Sequence, residues 1–306
     1  MSLLHCSSPH ASTWRRGLTL LELIVALGIL AVLSTIAVQA LEPLADQSRY
    51  EATQRLLNDL RLATIGTAHA RHTDGQPLVT GFVADTGSLP TAMSDFITLP
   101  AGLIPFANFT FDSDRDAVND VSLGSGWRGP YLHLGAGQVD LLDGWGRIPL
   151  INPDGGDFDF VSLGSDNDSL PPEDGYAADV KVTILPSDFE TTVTFRLFAI
   201  DGILGTRIDP APTGTQQLGV LLYAVNANGG TTGAVEELLL PVASSGSFEV
   251  SRANFVHGRA AARGVLWVDT NADDLFDIGE SLVLSSYIHY FTVTSSVDLR
   301  IELELR

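Results

Sequence analysis

The sequence predicts an α+β chain in which a long N-terminal helix precedes a turn-rich middle and an all-β C-terminal half. Two observations carry this. Residues 23–41 run without a formal charge, and the apolar positions after them, Leu44, Leu56, Leu57, Leu60 and Ile65, recur at three- and four-residue spacing. From residue 181 onward the pattern changes to short alternating segments separated by turn signals such as Asn226-Ala227-Asn228-Gly229-Gly230.

The apolar run is long enough to matter by itself. Residues 23–41 rise about 28 Å as a helix at roughly 1.5 Å each, close to the hydrocarbon thickness of a bilayer. A cleavable secretory signal has a shorter core and a small-residue cut site, neither of which is present, while a plain single-pass anchor stays open. Arg15 and Arg16 place the short N-terminal segment on the cytoplasmic side and the rest beyond the membrane. Glu22, a carboxylate at the edge of the apolar run, is costly there unless paired, so it reads as functional. The helix is expected to bend at Pro43, continue to about His72, and stop at Thr73-Asp74-Gly75-Gln76-Pro77.

Arg15-Arg16-Gly17-Leu18-Thr19-Leu20-Leu21-Glu22 resembles the type IV prepilin family, which includes the pseudopilins of type II secretion. The resemblance implies a leader at 1–17, cleavage by prepilin peptidase after Gly17, and a mature chain that begins at Leu18, where the family has Phe. N-methylation of that new terminus is part of the family pattern. It also implies an assembly role for Glu22, which would neutralise the α-amine of Leu18 in a neighbouring subunit within an apolar filament core.

Composition bounds the partners. The formal net charge of −20 becomes −22 once a leader carrying Arg15 and Arg16 is removed, which excludes a nucleic acid partner and favours divalent cations. The single cysteine, Cys6, lies in the leader, so the mature chain forms no disulfide. His69 and His72 are three apart on the helix, without a third metal ligand nearby. Asp112-Ser113-Asp114-Arg115-Asp116-Ala117-Val118-Asn119-Asp120 opens like a calcium loop but has Leu123 at its twelfth position, and is read as a solvated acidic loop.

Gly81 to Pro90 reads as a turn-rich connection, with a short helix at Asp95-Phe96. Four motifs follow: Gly126-Trp127-Arg128-Gly129-Pro130-Tyr131, Asp143-Gly144-Trp145-Gly146-Arg147, Phe158 to Asp166, and Ala178-Asp179-Val180. In order and spacing they are similar to the head of the major pseudopilin, with Gly144 in place of proline and Ala177 in place of an acid. The resemblance implies a pilin-like fold: the long helix, transmembrane over 18–41 and amphipathic beyond, packed on a small antiparallel sheet head within 42–180. It also implies a calcium loop there, with carboxylates from Asp166 and Asp179, a carbonyl from Leu163, and Asp174 as a further donor.

Residues 181–306 form an added domain. Strands are expected at Thr192–Leu197, Val220–Val225, Glu237–Val242, Phe248–Val250, Val265–Val268, Tyr287–Val293 and 297–305, which together suggest an antiparallel β-sandwich. Within it, Asp269, Asn271, Asp273, Asp277 and Glu280 occupy positions 1, 3, 5, 9 and 12 of an EF-hand-type pattern, with the Leu275 carbonyl at position 7. Asp274 stands where glycine normally makes the sharp turn. With Gly264-Val265-Leu266-Trp267-Val268 before it, this loop resembles those of bacterial immunoglobulin-like surface modules, which implies calcium and rigidity; the sandwich itself is expected to be immunoglobulin-like. One or two calcium ions are therefore expected in the chain.

No nucleophile elbow, phosphate loop, zincin or dinucleotide motif is present, so the chain is not expected to be an enzyme. The expected function is a structural subunit of a type II secretion pseudopilus or related filament in the inner membrane and periplasm. Its expected partners are prepilin peptidase, other pilins and itself, an inner-membrane assembly platform, membrane lipid and a secreted substrate. The alternative makes the C-terminal half a calcium-stabilised binding module for secreted substrate or glycan, with the pilin part as its carrier. The bulk of that half points to a minor or short-filament role.

Overall fold

A computed structural model of the chain describes residues 19–67, 80–154, 157–169, 175–225, 233–241, 248–294 and 298–306. Contacts divide it into two compact units, Met1–Ser48 and Arg49–Arg306. Helix α1, Leu20–Ile65, contributes to both and carries Pro43 inside it. The expected continuation to His72 falls partly on residues 68–79, outside those described, as do His69 and His72.

In the second unit the chain runs through α2 (Phe82–Thr86), a 3₁₀ turn (Met93–Phe96), and a hairpin of β1 (Ala107–Phe111) and β2 (Val121–Ser125). An antiparallel sheet then forms from β3 (Leu150–Asp154), β4 (Asp157–Ser162) and β5 (Val180–Ile184), in the order β3-β4-β5. Its Phe158, Phe160 and Ile184 close on Leu57 and Leu60 of α1 and on Phe82 and Phe96. The spacing of Leu57 and Leu60 puts both on one helix face, and both are fully buried.

The stretch read as a turn-rich connection contains α2, whose five residues are all buried. Phe82 and Val83 explain the difference, because their entry into the core outweighs the local turn signals. The 3₁₀ turn at Met93–Phe96 agrees with the expected short helix. The Asp95 carboxylate accepts the N–H groups of Thr91 (2.7 Å) and Ala92 (2.9 Å), and the Asp95 carbonyl accepts Trp127 Nε1–H at 2.9 Å. The motif at Gly126–Tyr131 is thereby tied to this turn.

Gly144 has a local reason to replace proline. Its N–H donates to Thr53 Oγ1 at 2.9 Å, a bond that proline lacks, and a Cβ there would lie 1.9 Å from the Arg49 carbonyl oxygen. Asp143 shapes the same loop, accepting the N–H groups of Trp145 and Arg147, each at 2.9 Å, and the Ser162 hydroxyl at 2.6 Å.

The C-terminal half forms two facing sheets. Its strands are β6 (Glu190–Ile200), β7 (Arg207–Ile208), β8 (Gln216–Val225), β9 (Ala234–Leu239), β10 (Glu249–Val256), β11 (Gly258–Val268), β12 (Ser281–Ser285), β13 (His289–Val293) and β14 (Leu299–Leu305). One sheet has the order β10-β6-β14 with β7 on β6, and the other β12-β11-β8-β9 with β13 on β11. Val193, Phe195 and Leu197 of the first sheet share a core with Val220, Leu222 and Ala262 of the second. β14 runs parallel to β6, so this half is not wholly antiparallel as expected; the last strand returns beside the first in the same direction. The expected junction at 180/181 falls at the start of β5, which is hydrogen-bonded to β4 of the smaller sheet.

The second sheet is buried on both faces. Leu221, Tyr223, Ala261, Val265 and Trp267 pack away from the sandwich core against Val121 and Phe111 of the β1–β2 hairpin and Phe276. The Phe111 and Tyr223 ring centroids are 5.0 Å apart. The hairpin thus forms a third layer.

Candidate functional site

Four places carry the residues singled out above: the start of α1, the two expected cation loops, and an acidic hairpin tip. Gly17 and Leu18 lie outside the described residues. Thr19 opens α1, its Oγ1 accepting the Glu22 N–H at 3.2 Å, a helix N-cap with Glu22 at the third helical position. From Leu23 to Leu33 the helix is apolar on every side, and Leu20, Leu21, Leu23, Ile24, Leu27, Leu30 and Leu33 are all at least half exposed within the unit. A helix apolar all round needs an apolar surrounding. Among the described residues no helix is long and apolar enough to cross a membrane, and the side chains of 36–41, at the end of the expected span, are not among them.

In the loop after β4 the charge of Asp166 reaches Asp179, while Asp174 is outside the described residues. The Leu163 carbonyl accepts the Asn167 N–H at 3.1 Å, and Asp166 Oδ1 accepts that of Asp168 at 3.3 Å. Gly164 sits at φ +56°, where a Cβ would meet the Ala177 carbonyl oxygen at 2.3 Å, so both ends of the loop are pressed together. Desolvation, then the charges of Asp166 and Asp168, push the Asp179 carboxyl above its ordinary range. The Arg147 guanidinium donates to the carbonyls of Gly164 (2.8 Å) and Ser165 (3.1 Å), fixing the loop beside the carboxylates. The donors are hard oxygens, as calcium requires.

The loop from Asp269 to Glu280 closes on itself. Asp269, nearly buried, accepts the N–H groups of Ala272 (2.6 Å) and Asp274 (3.1 Å), while Glu280 accepts those of Thr270 (2.9 Å) and Asp277 (3.1 Å). Asn271 Nδ2 donates to Asp273 Oδ2 at 2.9 Å, and the Leu275 carbonyl accepts Trp267 Nε1–H at 3.0 Å. Asp274 takes φ 61° at the sharp turn, a conformation that Asp tolerates better than most residues. Each carboxylate oxygen retains a second lone pair, but the acids of this loop do not draw together: among the described residues the group of three whose carboxylate oxygens lie within 4.8 Å of one another is Asp112, Asp114 and Asp116.

The hairpin tip differs from its reading as a solvated loop. Asp112, Asp114 and Asp116 bring one carboxylate oxygen each within 4.8 Å of one another. Arg263, only 12% exposed, reaches Asp114 at 3.3 Å and Asp120 at 2.8 Å from β11. Arg115, at φ 63°, pairs with Glu236 of β9 and donates Nε–H to the Phe276 carbonyl at 3.1 Å. The Asp-x-Asp-x-Asp spacing was the only sequence signal; neither arginine, each more than a hundred residues from a partner, could be assigned from local pattern.

Comparison with known proteins fits the first of these places. The family described as "Prokaryotic N-terminal methylation motif" matches residues 15–38. The type II secretion system core protein G of Xanthomonas campestris pv. campestris is 27% identical over 170 residues, covering 54% of this chain and 87% of that protein. Among solved structures, a Pseudomonas aeruginosa protein of proposed carbohydrate binding covers 39% of this chain and 90% of its own, at TM-score 0.21 and 10% identity. GBS52, the minor pilin of Streptococcus agalactiae, covers 50% and 61%, at TM-score 0.19 and 15% identity. At such TM-scores neither structural likeness bears on fold or function.

Proposed function

We propose, from the premise that residues 15–38 carry a prepilin-type N-terminal methylation motif, that this chain is a non-enzymatic subunit of a type II secretion pseudopilus or related filament. Prepilin peptidase cuts after Gly17, and the freed amine of Leu18 meets Glu22 of an adjoining copy. The observation that supports this most is the start of α1: one carboxylate in the first turn, followed from Leu23 to Leu33 by an apolar and exposed stretch of the helix. Such a surface is covered by lipid before assembly and by other α1 helices after it. The β-rich unit then lies in the periplasm, anchored in the inner membrane by α1, with the assembly platform and other pilins as partners.

Glu22→Ala is expected to leave the Arg49–Arg306 unit folded and to abolish assembly. Sheared-filament yield from cells expressing the variant measures this. Parent-level yield would contradict the pairing, and the conservative Glu22→Gln, which keeps the size but not the charge, is expected to fail as well.

Calcium belongs to the same reading, at the loop holding Asp166 and Asp179 and at the loop from Asp269 to Glu280, the latter in a sandwich read as immunoglobulin-like. At calcium about a hundredfold above its Kd, one site stabilises the folded chain by about 2.7 kcal/mol. The melting temperature should therefore fall in chelator, and Asp269→Asn should remove most of the difference due to its loop. Identical melting in calcium and in chelator would refute both sites.

A further inference from the structure

We propose that the cleft around Arg259 is a receptor for a glutamate side chain of a second copy of this chain. The cleft has a volume of about 320 Å³ and lies where the end of β8, the start of β9, a bulge in β10 and the start of β11 meet. Its charged lining is Arg252, Arg259, Glu236 and Glu237, and its apolar lining includes Val225 and Val235.

The charges do not cancel. Glu236 is held by Arg115, and Glu237 accepts from Arg252 Nε at 2.9 Å. Asp85, whose carboxyl feels the charge of Arg259, is already bound by Arg128 at 3.2 Å and by the Tyr131 hydroxyl at 3.1 Å. Among the described residues Arg259 has neither an ion-pair partner nor a side-chain hydrogen bond, although it is half-buried in a chain of net charge −20. Arginine cannot shed its proton, so a partly desolvated guanidinium is left with only the electrostatic pull of Asp85, a carboxylate already bound elsewhere, and no hydrogen-bonded partner among the described residues.

The bulge adds a second feature. Arg252 pairs with Val193 and Phe255 with Thr191, so Ala253 and Asn254 together face the single residue Thr192 and stand outside the ladder. Asn254 takes φ 53°, a conformation that costs energy for a non-glycine residue and places an exposed amide at the cleft. A guanidinium fork with an amide beside it matches a carboxylate, and Val225 and Val235 suit the methylenes that a glutamate carries and a free phosphate does not. A partner built from this same chain would bring acids in excess, 37 against 17 basic residues.

The test uses the full mature chain in detergent micelles, with the Arg259 Nε–H followed by NMR during titration with N-acetylglutamate N-methylamide. A saturable shift is expected, weakened roughly tenfold or more with the glutamine counterpart of the probe. Arg259→Gln should lose binding, followed then on the Asn254 amide, while Arg259→Lys should keep part of it, which separates a lost fork from a lost fold. Arg207→Gln, a surface arginine away from the cleft, should bind as the parent does. No saturable shift, equal binding of the glutamine probe or of inorganic phosphate, or parent-like binding by Arg259→Gln would each overturn the proposal. Once binding is seen, sedimentation with and without the probe tests the occupant: dissociation of oligomers by the probe is expected, and sedimentation unchanged by the probe would overturn a second copy as the occupant. The reading as a filament subunit does not enter this test, which needs no assembly.

Discussion

A chain cut after Ile184 is expected to lose the β1–β2 hairpin as an ordered element, although every residue of that hairpin is retained. The cut keeps α1 and the three strands β3, β4 and β5 with their shared core of Leu57, Leu60, Phe158, Phe160 and Ile184. It removes the surface on which Phe111 and Val121 are packed, namely Leu221, Tyr223, Val265 and Trp267. It also leaves Arg115 without Glu236, and Asp114 and Asp120 without Arg263. A lone two-stranded hairpin is marginal in water, and here it would expose one apolar face and bring unneutralised carboxylates together. Hydrogen exchange and limited proteolysis would show this as loss of protection across residues 107–125 while α1 from Arg49 stays protected. Equal protection of the hairpin in the cut and full chains would mean that the second sheet contributes nothing to its order.

The reciprocal test is Trp267→Ala. Trp267 is fully buried between the second sheet and the loop that follows it, its ring centroid 5.6 Å from that of Phe276 and its Nε1–H on the Leu275 carbonyl. Removing an indole from a close-packed site costs about 3–5 kcal/mol, a large part of the stability of an ordinary domain. The urea midpoint should fall accordingly. The loss should also reach the loop from Asp269 to Glu280, seen as weaker protection of its amides, because the Leu275 carbonyl loses its donor. A midpoint within about 0.5 kcal/mol of the parent, the usual range for surface changes, would show that Trp267 is not the keystone between sheet and loop.

Much of this was legible in the chain itself. Thr19 and Glu22 carry both the family signature and the helix start, since the N-cap and the first-turn acid are local features. The alternating segments expected in the C-terminal half fall on β6, β8, β9, β10, β11, β13 and β14, whereas β7 and β12 are too short or too exposed to leave a clear pattern. The third layer left a sign that alternation alone does not capture. Val220, Leu221, Leu222 and Tyr223 are apolar in succession and all essentially buried, the mark of a strand covered on both faces. What covers the second face was not visible, because the hairpin is about a hundred residues distant and its acids suggest solvent. Arg263 turns Asp114 and Asp120 inward and Arg115 ties the hairpin to Glu236, and such pairings are set by tertiary contact rather than by spacing.

The central claim is that a freed amine at Leu18 pairs with Glu22 of an adjoining copy. Its most direct measurement is the intact mass and N-terminal sequence of the protein extracted from membranes of cells that hold a prepilin peptidase. A chain beginning Leu18-Thr19-Leu20-Leu21-Glu22, with or without a methyl group on its amine, is the predicted result. A chain that still begins at Met1 would contradict it.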